Sequence, residues 1–224
     1  MFNTVIFDWD GTLADTREVI LASFHEALRE VAKIDVSDEF IERRIGVGAR
    51  GTFRDILKDK KKKADVKVIN RLVDVKIRVE VDRTPDVELF GGARELLEAL
   101  QGKVKMGLAS MNNREVIDHM VSFLKVQDYF AATLTGDEVS KSKPDPEIFL
   151  KTAQKLGSRS IDCVVFEDSI FGVEAAKAAG MGCVAVLTGV YSRRELDRAK
   201  PDLTVKSLTE TDAILKFLFG ENAR

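Results

Sequence analysis

The apolar run Val5-Ile6-Phe7 stops at Asp8-Trp9-Asp10-Gly11-Thr12. A buried strand that delivers two carboxylates, a glycine and a hydroxyl to one point is a strong constraint, because desolvating a carboxylate is costly unless something positive sits beside it. Oxygen ligands around a hard cation such as Mg²⁺ meet that need most simply. The end of this strand is therefore the expected active site.

Short apolar runs alternate with helix-period stretches along the chain, which predicts an α/β fold with a mainly parallel, Rossmann-like sheet. The expected strands are Thr4 to Phe7, Val104 to Ala109, Ala132 to Leu134, Cys163 to Phe166, Cys183 to Leu187 and Leu203 to Val205. Helices between them carry apolar residues every three or four positions, such as Val116, Ile117, Met120 and Leu124. Gly102, Gly157 and Gly180 stand where three of these helices should stop. From Thr16 to about Val87 no buried strand is evident, only helical patterns such as Ile20, Phe24, Ala27 and Val31. The expected organisation is a core of residues 1–15 and 88–224 with a helical insertion at 16–87, hinged at Asp15-Thr16 and Thr84-Pro85-Asp86.

Composition narrows the function classes. Thirty-five basic against 37 acidic residues leave a net charge of −2, which offers no electrostatic attraction to nucleic acid or to an anionic membrane. No segment reaches the roughly 20 apolar residues of a membrane span. A cytoplasmic protein acting on a small molecule is the reading, as a monomer or weak homodimer. Cys163 and Cys183 open buried runs and read as free core thiols. The charge run Lys58 to Lys63 reads as solvated, and His25 and His119 receive no catalytic role.

In parallel α/β sheets ligands bind beyond the carboxyl ends of the strands. Collecting the residues found there gives Asp8 and Asp10, then Ser110-Met111-Asn112-Asn113, then Lys141-Ser142-Lys143-Pro144, then Glu167-Asp168-Ser169. Acids, a hydroxyl, helix-start amides and an ammonium suit phosphoryl transfer, which needs counter-charge, amide donors and an in-line nucleophile. Asn112 or Asn113 is the expected cap of the helix that follows Ser110.

Asp8-Trp9-Asp10-Gly11-Thr12, Ser110, Lys143-Pro144-Asp145-Pro146 and Phe166-Glu167-Asp168-Ser169 resemble, in order, the four motifs of the haloacid dehalogenase superfamily of phosphohydrolases. The resemblance implies that Asp8 is the nucleophile and Asp10 the general acid and base. It implies Mg²⁺ held by Asp8, the Asp10 carbonyl and Asp168, with Glu167 a direct or outer ligand. Ser110 and Lys143 would hold the phosphoryl oxygens. The insertion would be a cap over the site, and Ile45-Gly46-Val47-Gly48-Ala49-Arg50 is similar to the specificity loop of phosphoglycolate phosphatases.

Substrate contacts are then expected from Thr16, Gly46, Gly48, Arg50, Ser110, Met111, Asn112 and Lys143, with Arg43, Arg44 and Arg54 as competing cap cations. The implied activity is Mg²⁺-dependent hydrolysis of a small phosphorylated metabolite, phosphoglycolate or a sugar phosphate, through an aspartyl-phosphate. A phosphomutase resembling β-phosphoglucomutase uses the same core residues, and a phospho-accepting signalling module is the reading from outside the enzymes.

Overall fold

β1 (Thr4–Phe7) lies in the middle of a six-stranded parallel sheet, and its position explains most of the architecture. The structure is a computed structural model that describes residues 2–220. The other strands are β2 (Ala14–Asp15), β3 (Glu88–Leu89), β4 (Lys105–Ser110), β5 (Ala132–Thr135), β6 (Cys163–Glu167), β7 (Gly182–Val186) and β8 (Leu203–Val205). The large sheet runs β5-β4-β1-β6-β7-β8, with Val5 opposite both Met106 and Val164. Each of its six strands falls within one residue of the bounds expected from sequence.

Alternation along the strands sends Val5, Phe7, Leu108, Val164 and Phe166 to one face and Ile6, Ala109, Cys163, Val165 and Cys183 to the other. Helices α5 (Ala93–Leu100), α6 (Arg114–Phe123) and α10 (Thr211–Phe219) cover the first face. The second is covered by α7 (Glu147–Lys155), α8 (Ile170–Ala178) and α9 (Arg193–Arg198). Burial on both faces is why these strands read as continuous apolar runs. Both cysteines are buried and free. Gly102, Gly157 and Gly180 adopt positive φ at the helix ends, as expected of stops.

Between β2 and β3 the chain forms α1 (Arg17–Ala27), which continues as a π-turn over Leu28–Ala32, then α2 (Asp38–Glu42), α3 (Ala49–Asp59) and α4 (Val66–Asp82). Ile20, Phe24, Ile41, Phe53, Ile56 and Leu72 build an apolar cluster among these helices. Lys60 to Lys63 follow α3 and are exposed. At the two crossings the sequence reading missed a small antiparallel ladder, Ala14 with Leu89 and Asp15 with Glu88. Two residues per strand are too few for a hydrophobic period to show. No helix among the described residues is long and apolar enough to cross a membrane.

Candidate active site

The order of the large sheet reverses at β1, since β4 and β5 lie to one side and β6, β7 and β8 to the other. Such a switch point opens a crevice at the carboxyl ends of the strands. Asp8 extends the ladder by one residue through its N–H to the Phe166 carbonyl at 3.0 Å. The chain then turns sharply: the N–H groups of Thr12, Leu13 and Ala14 all converge on the Trp9 carbonyl. Trp9 drops its indole into the core, where its N–H meets the Met120 sulfur at 3.4 Å. Asp8 and Asp10, flanking it, stand in the crevice.

Lys143 is buried, and its ammonium lies 2.5 Å from both Asp8 Oδ1 and Glu167 Oε1. The other Glu167 oxygen accepts from the Asp168 and Ser169 amides, each at 3.1 Å, and from the Ser169 hydroxyl at 2.9 Å. Asp168 has a single side-chain partner among the described residues, the Thr12 hydroxyl at 3.3 Å. Carboxylate oxygens of Asp8, Glu167 and Asp168 all lie within 4.8 Å of one another. Burial pushes Asp8 and Asp168 well above the usual carboxylate range; Lys143 opposes this and the neighbouring acids reinforce it. Lys143 is itself driven upward, because the attraction of Asp8 and Glu167 exceeds the cost of burying it.

Three buried acids around one ammonium leave a surplus of two negative charges, the charge of one divalent cation. All the donors are oxygens, the ligand type of Mg²⁺. Asp8 and Asp168 retain unused lone pairs, whereas Glu167 is saturated by Lys143, two amides and a hydroxyl. The residues therefore fit the ion, with Glu167 better suited to orienting its neighbours than to ligating.

Two glycines make room for Asp168. A Cβ at Gly189 would stand 1.8 Å from its Oδ2, and one at Gly11, where φ is +83°, would stand 2.4 Å away. Gly189→Ala is therefore expected to displace the carboxylate and weaken divalent-ion affinity by about 10- to 100-fold, as loss of groups that orient ligands does. Calorimetric titration of Mg²⁺ into the variant checks this; unchanged affinity would show that Asp168 takes no part.

The Asp10 carboxylate has hydroxyl partners of its own. It accepts from Thr16 at 2.9 Å and from Ser110 at 3.1 Å, and the Ser110 oxygen in turn accepts the Asn112 amide at 3.0 Å. Burial lifts Asp10 above its ordinary range, opposed by Lys76 and by the Thr16 and Ser110 hydroxyls. Asp10 lines a small cleft, with a cavity volume of about 30 Å³, between sheet and helices, together with Ile20, Phe24, Arg44, Lys76, Asn112 and the Gly46 to Gly48 turn. Met111 also lines it. Of the expected substrate contacts, Gly46, Gly48, Met111 and Asn112 line this cleft, and Thr16 and Ser110 adjoin it through their hydrogen bonds to Asp10. Arg50 does not line it: this residue is exposed and borders an adjoining depression with Arg54 and Asp137, the two depressions sharing Gly48, Ala49 and Met111.

Two further expectations are corrected. Neither Asn112 nor Asn113 caps α6 with its side chain. Asp137, from the turn after β5, accepts the Arg114 N–H at 2.7 Å and the Asn113 side-chain amide at 2.6 Å, so this helix-start amide is already committed. Asn112 instead accepts from its neighbour's N–H at 2.9 Å and from Lys76 at 3.1 Å.

Lys76 and Glu80 were missed altogether. Both sit on α4, buried, with Nζ to Oε2 at 2.6 Å. Ser23 donates to the other Glu80 oxygen at 3.1 Å. Burial raises the Glu80 pKa and the adjacent ammonium pulls it down. Their spacing carried a usable signal: Ile69, Leu72, Val73, Lys76, Val79 and Glu80 form one stripe, so the two charges occupy apolar positions.

The sequence profile of the haloacid dehalogenase-like hydrolases matches residues 5–186. A phosphorylated carbohydrates phosphatase of Thermotoga maritima is 35% identical over 184 residues, 79% of this chain and 81% of that protein. The fructose-1-phosphate phosphatase YqaB of Escherichia coli is 29% identical over 186 residues, 81% of this chain and 95% of that protein. A solved structure of a hydrolase from Pseudomonas syringae superposes with a TM-score of 0.86 at 28% identity, over 95% of this chain and 99% of that one. With a buried acid trio at the switch point and the profile running through all four motifs, the chain belongs to the haloacid dehalogenase-like hydrolases.

Proposed function

We propose that this protein is a phosphatase of small phosphate monoesters that works through an aspartyl-phosphate on Asp8. The observation that carries the reading is the separation of two carboxylates, Asp8 against Lys143 and Asp10 against Thr16 and Ser110, at one crevice. Lys143 offsets the repulsion between Asp8 and an incoming phosphate and is placed to hold a phosphoryl oxygen. An Asp8 oxygen attacks phosphorus as the bond to the leaving oxygen breaks. Asp10, between that point and the cavity, gives its proton to the leaving oxygen. Having lost it, the same carboxylate takes a proton from the water that hydrolyses the acyl phosphate. Ser110 and Thr16 fix the orientation of Asp10 for both transfers.

Asp8 and Asp168, supported by Glu167, are the residues that would hold Mg²⁺, with the Asp10 carbonyl the backbone ligand that the sequence resemblance implies. When bound, the ion supplies positive charge that stabilises the phosphoryl oxygens in the transition state. The insertion excludes water from the crevice and contacts the leaving group. One tie between insertion and core is the Tyr191 hydroxyl, which donates to the Arg43 carbonyl at 2.8 Å, while the Arg43 guanidinium meets Glu195 at 2.8 Å.

The names of the two curated relatives support hydrolysis. The solved structures titled β-phosphoglucomutase share 23% and 24% identity and bear on the fold alone. Release of phosphate from p-nitrophenyl phosphate should require Mg²⁺ and fall to background with EDTA. A metal-independent rate, or none in either condition, would overturn the reading.

A further inference from the structure

We infer that the buried Lys76–Glu80 pair selects uncharged, hydroxyl-bearing leaving groups and turns away carboxylate-bearing ones; this rests on the phosphatase reading above. An ammonium has three N–H donors. Glu80 takes one at 2.6 Å and Asn112 takes another at 3.1 Å. The third remains for the cavity that Lys76 lines with Asp10. Lys76 Nζ also stands 5.5 Å from the centre of the Phe24 ring.

The charge of that ammonium is already answered. Glu80 is fully buried behind it and held by Ser23, so it cannot swing away into solvent. The other cation at the cavity, Arg44, is engaged too: it lies 3.5 Å from Asp55, donates to the Phe40 carbonyl at 3.0 Å and stacks 3.7 Å over the Phe40 ring. Leaving aside Asp10, which enters the reaction protonated, the cavity and its immediate backing hold two acids, Glu80 and Asp55, to two bases, Lys76 and Arg44. A carboxylate or second phosphate placed against Lys76 would be an additional anion on an ammonium already answered by Glu80, a pair buried where screening is poor. A hydroxyl oxygen accepts the free Lys76 N–H without that cost. Phosphoglycolate, one of two substrates implied by the sequence resemblance, is thereby disfavoured, and a short polyol or sugar phosphate is favoured.

The test uses a pair of substrates differing at one carbon: glycerol 3-phosphate, ending in CH₂OH, and 3-phosphoglycerate, ending in a carboxylate. The wild-type protein with Mg²⁺ should favour the former in kcat/KM by at least about tenfold, the least expected where like charges are brought together. Glu80→Gln keeps the shape and frees the Lys76 charge, so the ratio should move toward 3-phosphoglycerate by a similar factor. Lys76→Met should lose turnover of glycerol 3-phosphate with no gain on the other substrate. Equal rates, or a preference for 3-phosphoglycerate, in the wild type would overturn the inference while leaving the phosphatase reading intact. A folded Glu80→Gln protein with an unchanged ratio would overturn it as well. If that variant does not fold, the wild-type ratio decides alone. Turnover of neither substrate nor of p-nitrophenyl phosphate would overturn both readings.

Discussion

Replacing Asp8 by Asn is expected to abolish turnover, lowering kcat by roughly four orders of magnitude or more, as loss of a nucleophile does when the rest of the site survives. The fold should be untouched. Asn has the volume of Asp, Lys143 keeps its 2.5 Å partner Glu167, and one of three crowded negative charges is gone. Relief of that crowding should leave the melting temperature within a few degrees of wild type, a shift of about 1 kcal/mol or less on the usual scaling for a chain this size. Phosphate release and a thermal melt on the same preparation check both halves. Substantial residual turnover would exclude Asp8 as nucleophile, and a large loss of stability would show that its role is structural.

Lys143→Met should produce the opposite pattern, a severe loss of stability together with loss of activity. Methionine replaces the packing of the lysine stem, including its position against the Phe149 ring, but leaves Asp8, Glu167 and Asp168 without an internal cation. Stranding a buried charge in this way costs about 3–5 kcal/mol, which corresponds to roughly 10 °C in a domain of this length.

The loss should depend on pH in a definite direction. Burial holds Asp8 and Asp168 above their unfolded values near 3.8, so over the window above that value the native state binds protons the unfolded chain has released. Stability without metal is therefore greatest in acid and falls as the pH rises through the raised native values. Lys143→Met should steepen that fall, and saturating Mg²⁺ should flatten it in both proteins. Denaturant melts at several pH values, with and without Mg²⁺, measure this. A variant as stable as wild type at neutral pH would show that the acid trio is neutralised by some other means.

The core was legible in the sequence because its signals are local. A strand buried on both faces is a continuous apolar run, and the abrupt change at Asp8, Ser110 and Glu167 marks where each such strand leaves the sheet. What escaped depends on partners far away in the chain. Asp137 caps α6 across 23 residues of sequence, and nothing near Asn113 announces it. Arg50 looked like a specificity residue beside two glycines, yet the first turn of α3 points it outward, and the cavity cations come from Arg44 and Lys76. Lys76 and Glu80, four residues apart, look like an ordinary surface pair until their place in the apolar stripe of α4 is counted.

The central place of β1 also governs how the molecule can be made. Its four residues are synthesised well before the segments that form both of its edges, Lys105 to Leu108 on one side and Cys163 to Phe166 on the other. Chains grow N-terminus first at about 5–20 residues per second. For many seconds, then, Val5-Ile6-Phe7 exists as an adhesive apolar ribbon with neither neighbour yet synthesised. A nascent chain stalled before residue 163 holds an unfinished sheet, and it is in this interval that association with other chains or capture by a chaperone competes with folding.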